Sequence, residues 1–248
     1  KMLKTNFKKV LFIILTCLIV PFCLTSCGAE NEIHDEKEPA PLYKLTKLAD
    51  HLYRTTISKD YEWNTNALNV AGFSCSGIQN GQYRGRNYDW TYADTDLCIV
   101  QTTVTENRKH ASVGVSDMSF MLNEDGSLNL DKLPFVTVDG INDAGVCIQV
   151  NVITFGENGV IPHTETTEDD LAGASLVRYI LDNSSSVNNA LNLLEGKDIH
   201  SEMQDLEELH WMISGPTSET DKTIKTVVVE VFPDGLHITE DFVEDKPI

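Results

Sequence analysis

The segment that decides the fold is FSCSGIQNGQYRGRNYDW, residues 73–90. Two runs with strand-like composition flank Asn80-Gly81, a dipeptide that favours a two-residue type I′ hairpin turn. With that turn, Gln79 pairs with Gln82, and Cys75 lies directly across the ladder from Arg86. Directly paired residues share one face of a sheet. The sequence therefore predicts a hairpin that brings a thiol next to a guanidinium.

The cysteine of this hairpin is the candidate nucleophile. A thiol with an unperturbed pKa of about 8.5 is mostly protonated at neutral pH, so it needs a base or a cationic neighbour to attack an amide. If the chain is cut between Ser74 and Cys75, the new α-amino group titrates near ~7.7 to 8.0 and can act as the base. A cysteine at such a terminus requires no catalytic histidine.

Strands are predicted on both sides of a helical pair, at 73–79, 82–90, 97–104, 111–115, 146–152, 210–214, 226–232 and 236–239. One helix begins at Asp169 or Asp170 and ends at Asn183, and a second runs from an N-cap at Ser186 to a C-terminal glycine, Gly196. A further helix is predicted at 45–52. The order of strands, helices and strands indicates an α+β fold with stacked layers.

The first 27 residues predict export. A lysine-rich start precedes an apolar run at 10–24 that is too short for a comfortable membrane span. The run ends in LTSCG, which resembles a bacterial lipobox, so Cys27 is expected to be acylated and to anchor the protein in the bacterial cell envelope. The alternative is an ordinary secretory signal. We predict a signal peptide at 1–27, a disordered acidic tether at 28–41 and a propeptide at 42–74, followed by the main folded domain at 75–248.

Charge and cysteine content narrow the partners and cofactors. The formal net charge of −19 argues against a nucleic-acid partner, which would require a basic surface. Three of the six cysteines lie at or before Cys27, and the spacing of the other three, Cys75, Cys98 and Cys147, fits no compact metal motif. We therefore expect no metal and no cofactor. Cys98 and Cys147 lie in apolar runs and are predicted to be buried strand residues.

Four motifs resemble, in order, those of the choloylglycine hydrolase family, which includes bile salt hydrolases and penicillin V acylases. They are CSG at 75–77 with GRNYDW at 85–90, DGINDAGV at 139–146, HWMIS at 210–214 and VVE at 228–230. The resemblance implies an N-terminal-nucleophile hydrolase with an αββα sandwich, acting on linear amide C–N bonds. The implied partner is a small-molecule amide, with membrane attachment through the lipid on Cys27, and a homo-oligomer is compatible with the sequence.

The same resemblance implies four catalytic residues. Cys75 matches the nucleophile, Arg86 the active-site arginine, Asp89 the carboxylate that binds the new amino group, and Asn151 an oxyanion-hole position. Asn at that last position is typical of bile salt hydrolases, whereas penicillin V acylases carry Tyr. Residues three apart on a regular strand point to opposite faces, so Arg86 and Asp89 require a bulge or a strand end near Asn87.

Several alternatives remain open from the sequence. The chain stops at Ile248, before the positions of later family motifs, including a second active-site arginine, so we expect an incomplete sandwich with little activity. The alternatives are an inactive envelope lipoprotein that keeps part of the fold, a penicillin V or N-acyl amide acylase, and a papain-like enzyme that pairs Cys75 with His210 or His237. The family signature around a papain-type cysteine is absent.

Overall fold

The computed structural model describes residues 44–62, 76–80, 83–88, 95–123, 125–152, 169–200, 209–232 and 235–240. These ranges contain thirteen strands: β1 Thr46–Ala49, β2 Leu52–Ile57, β3 Ser76–Asn80, β4 Tyr83–Asn87, β5 Leu97–Thr102, β6 Ser112–Asp117, β7 Thr137–Asn142, β8 Cys147–Val152, β9 Asp170–Ala172, β10 Asp198–His200, β11 Leu209–Pro216, β12 Ile224–Phe232 and β13 Gly235–Thr239. They also contain two α-helices, α1 Gly173–Asn183 and α2 Val187–Leu194, and two 3-10 helices, Met118–Met121 and Leu130–Val136.

Nine strands form one mixed sheet in the order β1-β2-β5-β6-β7-β8-β11-β12-β13. β2 and β5 run parallel, and every other neighbouring pair in this sheet is antiparallel. Antiparallel neighbours can be joined by short connections, and most neighbouring strands in this sheet are joined in that way. The sequence patterns predicted every inner strand of this sheet except β2 and β7.

The hydrophobic core lies between one face of this sheet and the two helices. Alternate residues of β8, including Ile148 and Val150, point to this face because side chains of a strand alternate between faces. From α1, Leu176, Ile180 and Leu181 are fully buried against them. Each such side chain contributes roughly 1.5–3 kcal/mol by leaving water, so this layer contributes strongly to holding the helices on the sheet.

The helix ends agree with the sequence at three positions and differ at one. The Ser186 hydroxyl accepts a hydrogen bond from the Asn189 backbone N–H, and Gly196 has a positive φ of 76°, as predicted for an N-cap and a terminal glycine. α1 ends at Asn183 as predicted, but it begins at Gly173 and not at Asp169 or Asp170. Residues 170–172 instead form β9, which pairs in parallel with β10.

The helix predicted at 45–52 is wrong, because this segment forms β1 and β2. His51, with a φ of 57°, lies between the two strands. β2 joins the nine-stranded sheet and buries Thr55 and Ile57, whose branched side chains favour a strand. Two strands of the predicted propeptide, β1 and β2, are therefore part of the main sheet, while cleavage after the propeptide stays a prediction.

The β3–β4 hairpin forms as predicted, but its register differs. Asn80 pairs with Tyr83 and Gly77 pairs with Arg86, so the pairing of Cys75 with Arg86 was wrong. A glycine at the first of two loop positions suits a type II′ turn as well as Asn-Gly suits type I′, so the local sequence allows both registers. The predicted strand end near Asn87 is confirmed, since β4 ends there.

The architecture is α+β, as predicted. The described residues show helices on one face of the large sheet and the β3–β4 hairpin on the other, which corresponds to a helix–sheet–sheet stack. The predicted signal peptide and tether lie outside the described residues. Among the helices of the described ranges, none has the length and apolar character needed to span a bilayer.

Candidate active site

Arg86 holds the hairpin on the large sheet. Its Nη1 donates to the Val138 carbonyl at 2.5 Å and its Nη2 to the Val150 carbonyl at 2.7 Å. The β7–β8 ladder ends at the pair Asp139 and Gln149, so Val138 and Val150 would form the next pair. The Arg86 guanidinium binds the carbonyls of both residues at the point where this next pair would form. At the same point, the pairing of β7 with β6 is irregular between residues 137 and 139.

The surroundings of Arg86 supply both a counter-charge and an aromatic face. Its side chain is only 7% exposed, and Nη1 lies 3.4 Å from Asp139 Oδ2. The guanidinium carbon lies 4.9 Å from the centre of the Tyr88 ring, a cation–π distance. Tyr88 Oη in turn donates to Asp117 Oδ2 at 2.6 Å. These neighbours hold Arg86 from several sides, and hydrogen bonds to a charged group are each worth about 1.5–3 kcal/mol.

A second arginine of the hairpin, Arg84, is connected through Gln149 to Asn151, the predicted oxyanion-hole residue. Arg84 Nη2 donates to Gln149 Oε1 at 2.9 Å, and Gln149 Nε2 donates to Asn151 Oδ1 at 3.2 Å. Gln149 is fully buried and Asn151 is 6% exposed. Both lie on the face of β8 opposite the helical core, because Ile148 and Val150 point to the helices.

Gly77 allows the hairpin to approach this glutamine. A Cβ added at Gly77 would lie 2.1 Å from Gln149 Nε2, which no side chain could tolerate without displacement. The absence of a side chain at Gly77 therefore makes room for the Gln149 amide. In β4, Arg84 and Arg86 share the face of Gly77 and point toward the large sheet.

The two described cysteines lie in the large sheet, Cys147 on β8 next to this site and Cys98 on β5. Cys147 is two residues before Gln149 and is partly exposed, so its predicted burial is only partly confirmed. Burial lowers the pKa of the neighbouring Arg84, while the Cys147 thiol and the Asp139 carboxylate act to raise it. Cys98 is fully buried, as predicted, and burial raises the pKa of its thiol to about 11.

His210 pairs directly with Asn151 in the β8–β11 ladder and so lies beside it on the same face. Its Nδ1 lies 3.8 Å from Glu230 Oε1, and burial lowers its pKa while Glu230 acts to raise it. His237, on β13, makes an edge contact with the Phe232 ring at 4.8 Å. The papain-like alternative needs one of these histidines beside Cys75, which lies outside the described residues.

The structure describes two of the four predicted catalytic residues. The Arg86 side chain reaches the end of β8 beside Asn151, since it binds the carbonyl of Val150, the residue before Asn151. Cys75 and Asp89 lie outside the described residues, as do the cleavage position Ser74 and the lipid position Cys27. Their roles stay predictions. Among the described ranges, no group of three or more His, Cys, Asp or Glu side chains is placed to hold a metal ion.

Sequence reasoning missed Arg84 and Gln149. The available signal was Gln149 itself, a polar residue two positions from Asn151 inside the apolar run at 146–152. Side chains two apart on a strand share a face, so the pair indicated a polar site on one side of β8. The role of Arg84 depends on how the hairpin docks, which the local pattern does not contain.

A family model described as linear amide C–N hydrolases, choloylglycine hydrolase family, matches residues 72–244. The chain belongs to this family. The match includes the β3–β4 hairpin, β8 and β11, which are the elements that carry Arg86, Asn151 and their neighbours. Membership establishes the predicted resemblance and the class of bond on which the family acts.

Two solved structures are similar to this chain. One is a variant of conjugated bile acid hydrolase from Clostridium perfringens, with 23% identity and a TM-score of 0.35 over 54% of this chain. The other is penicillin V acylase from Agrobacterium tumefaciens, with 20% identity and a TM-score of 0.33 over 54% of this chain. The chain spans 36% and 33% of their respective lengths. No curated protein sequence matches the chain.

Proposed function

We propose that this chain hydrolyses linear amides with Cys75 as an N-terminal nucleophile. The observation that carries the proposal is the docking of the hairpin on the large sheet. β3 follows directly after Cys75 in the sequence, and Gly77 of β3 lies against Gln149, which donates a hydrogen bond to Asn151. A nucleophile and an oxyanion donor must lie within a few ångströms of one reacting carbonyl. Family membership supports the same chemistry.

In the proposed first step, cleavage after Ser74 frees the Cys75 amine, which takes the thiol proton. The thiolate attacks the amide carbon, and the carbonyl oxygen becomes an oxyanion that accepts a hydrogen bond from Asn151 Nδ2. Donors aimed at that oxygen are typically worth about 3–4 kcal/mol of barrier. The C–N bond then breaks, and the protonated α-amine returns its proton to the leaving nitrogen.

The second step releases the acid. Water attacks the thioester carbon, the Cys75 amine takes a proton from that water, and the thiol leaves with a proton. Asp89 holds the amine in place in this scheme. Arg86 acts indirectly, because both of its terminal nitrogens already donate to the carbonyls of Val138 and Val150. We assign it the role of holding the hairpin and the end of β8 together.

The proposed substrates are conjugated bile salts. Asn151, at the position that distinguishes the two branches of the resemblance, favours them over penicillin V. One similar structure is a conjugated bile acid hydrolase, and the other is a penicillin V acylase, so penicillin V and a simple N-acyl amino acid are the comparison substrates. We further propose export and acylation at Cys27, which the mass of the membrane-extracted protein tests.

Two measurements test the nucleophile. N-terminal sequencing of the purified protein should find a chain that begins at Cys75. Cys75→Ser should abolish turnover of glycine- and taurine-conjugated bile salts, since oxygen in place of sulfur loses thiolate character, whereas Cys98→Ser should keep it. Full activity in chains that retain the Ser74–Cys75 bond would rule out the N-terminal mechanism.

A further inference from the structure

We propose that Gln149 is a positioning residue that, together with Arg84, orients the Asn151 amide so that its N–H₂ group faces the reacting oxygen. This inference rests on the proposed function, in which Asn151 donates to the oxyanion. Gln149 and Arg84 determine which end of the Asn151 amide, the oxygen or the nitrogen, faces the substrate.

The direction of each hydrogen bond follows from the donors and acceptors that each side chain carries. An arginine side chain only donates, so the atom of Gln149 that lies 2.9 Å from Arg84 Nη2 is held as the acceptor Oε1. The other end of the glutamine amide, Nε2, is then left to donate, and it lies 3.2 Å from Asn151 Oδ1. Because that oxygen is occupied as an acceptor, Nδ2 is the group of Asn151 that remains for another partner.

Without the arginine, nothing in this pair sets a direction. A glutamine and an asparagine can exchange one hydrogen bond in either sense, since each amide has a donor end and an acceptor end. The reversed arrangement would turn the Asn151 oxygen toward the substrate, where it would repel an oxyanion. A donor-only residue at the start of the chain of bonds removes that ambiguity.

Packing holds the glutamine in place. Gln149 is fully buried, and the Gly77 backbone lies so close that a Cβ there would overlap its amide. Among the described residues, no hydrogen bond uses Asn151 Nδ2 as its donor. A buried amide with its oxygen engaged and its nitrogen available is what an oxyanion-hole donor requires.

The decisive variant is Gln149→Glu in the full chain. A carboxylate of the same shape still accepts from Arg84, but it cannot donate to Asn151 Oδ1. The Asn151 amide should then turn over and donate Nδ2 to the introduced carboxylate. We expect kcat on a glycine-conjugated bile salt to fall about a hundredfold, with KM changed less than about threefold, because the lost interaction exists only in the transition state.

A double-mutant cycle separates this role from a purely structural one. If Gln149 acts through Asn151, Gln149→Glu should add less than about a twofold loss in an Asn151→Ala background. Arg84→Lys, another donor-only residue, should retain kcat within a few-fold, whereas Arg84→Gln, which can donate or accept, should not. Gln101→Glu, on β5 and three strands away from β8 in the sheet, controls for the added charge. Equal losses in both backgrounds would overturn the proposal.

Hydrogen exchange of side-chain amides in the ¹⁵N-labelled full chain gives a readout that needs no turnover. We expect slow exchange at Gln149 Nε2, and faster exchange there in Asn151→Leu, which removes its acceptor. Protection at Asn151 Nδ2 that is lost in Gln149→Leu would show the reversed direction and defeat the inference, while leaving the proposed nucleophile intact. Full turnover by Asn151→Ala would instead defeat the proposed oxyanion role, and the exchange result would still decide the orientation.

Discussion

Gly77 is a residue at which the hairpin backbone lies close against the large sheet. A Cβ there would lie 2.1 Å from Gln149 Nε2, and this amide cannot move away cheaply because it is buried and bonded at both ends. We expect Gly77→Ala to destabilise the protein by roughly 1–3 kcal/mol, the usual cost of overpacking, and to lower kcat by displacing Gln149. Denaturant unfolding and steady-state kinetics measure the two effects.

Gly85→Ala is the matched control for that change. It lies in the same hairpin on the opposite face, where the nearest atom to an added Cβ is a methyl carbon of the exposed Ile78 side chain at 3.2 Å. It should change stability much less than Gly77→Ala does. If the two alanine variants behave alike, the close approach at Gly77 does not hold in solution.

We expect the protonation of His210 to contribute to the pH dependence of the protein's stability. Burial lowers its pKa in the folded state, with Glu230 acting in the opposite direction. As pH falls through the unfolded value of about 6.5, the unfolded chain binds a proton that the folded chain binds less readily, so stability is lost on the acid side. The wild type should therefore lose more melting temperature between pH values of about 7.5 and 5.5 than His210→Asn does.

Glu230→Gln tests the sign of that argument. Removing the carboxylate removes the interaction that raises the His210 pKa, so the acid-side loss should become steeper than in the wild type. A shallower loss in Glu230→Gln would contradict the assignment of this pH dependence to His210.

At the scale of elements, β1 and β2 behave as part of the hydrolase fold. β2 pairs along its whole length with β5, Arg108 Nη2 donates to the Ile57 carbonyl at 3.1 Å, and Tyr61 Oη donates to the buried Asp182 carboxylate. If the chain breaks between Ser74 and Cys75, we expect residues 44–62 to stay bound as a separate polypeptide. Native mass spectrometry should find one particle, and denaturing conditions should find two chains.

An engineered protease site within residues 63–74 makes this test independent of self-cleavage. Ile57→Asp should release the segment, because Ile57 is 1% exposed, whereas Leu48→Asp should not, because Leu48 on β1 is 46% exposed. Loss of the segment from the wild-type particle after cutting would show that it acts as a removable propeptide after all.

At the scale of the whole molecule, the net charge of −19 opposes anionic substrates. Glycine and taurine conjugates carry a negative charge, and salt screens their repulsion by the protein. We expect kcat/KM for these conjugates to rise between low and physiological ionic strength, because KM falls. For an uncharged N-acyl amide, kcat/KM should change little. A fall for the conjugates would indicate that local positive charge at the site outweighs the field of the whole molecule.

The sequence alone determined the α+β class, the hairpin, most strand positions, the caps of α2 and the family. These features depend on local periodicity, turn residues and ordered motifs, all of which can be read along the chain. Arg86 and Asn151 were also named from the family resemblance, and their catalytic roles stay predictions.

Three features became visible only in the three-dimensional structure: the hairpin register, the strands at 46–57 and the chain of bonds from Arg84 through Gln149 to Asn151. Each depends on partners distant in sequence: β2 becomes a strand because β5 lies beside it, and residues 170–172 do so because of β10. Arg84 gains its role because Gly77 lets the hairpin approach β8. Local propensity is weaker than such pairing and burial, so the sequence pattern did not contain these features.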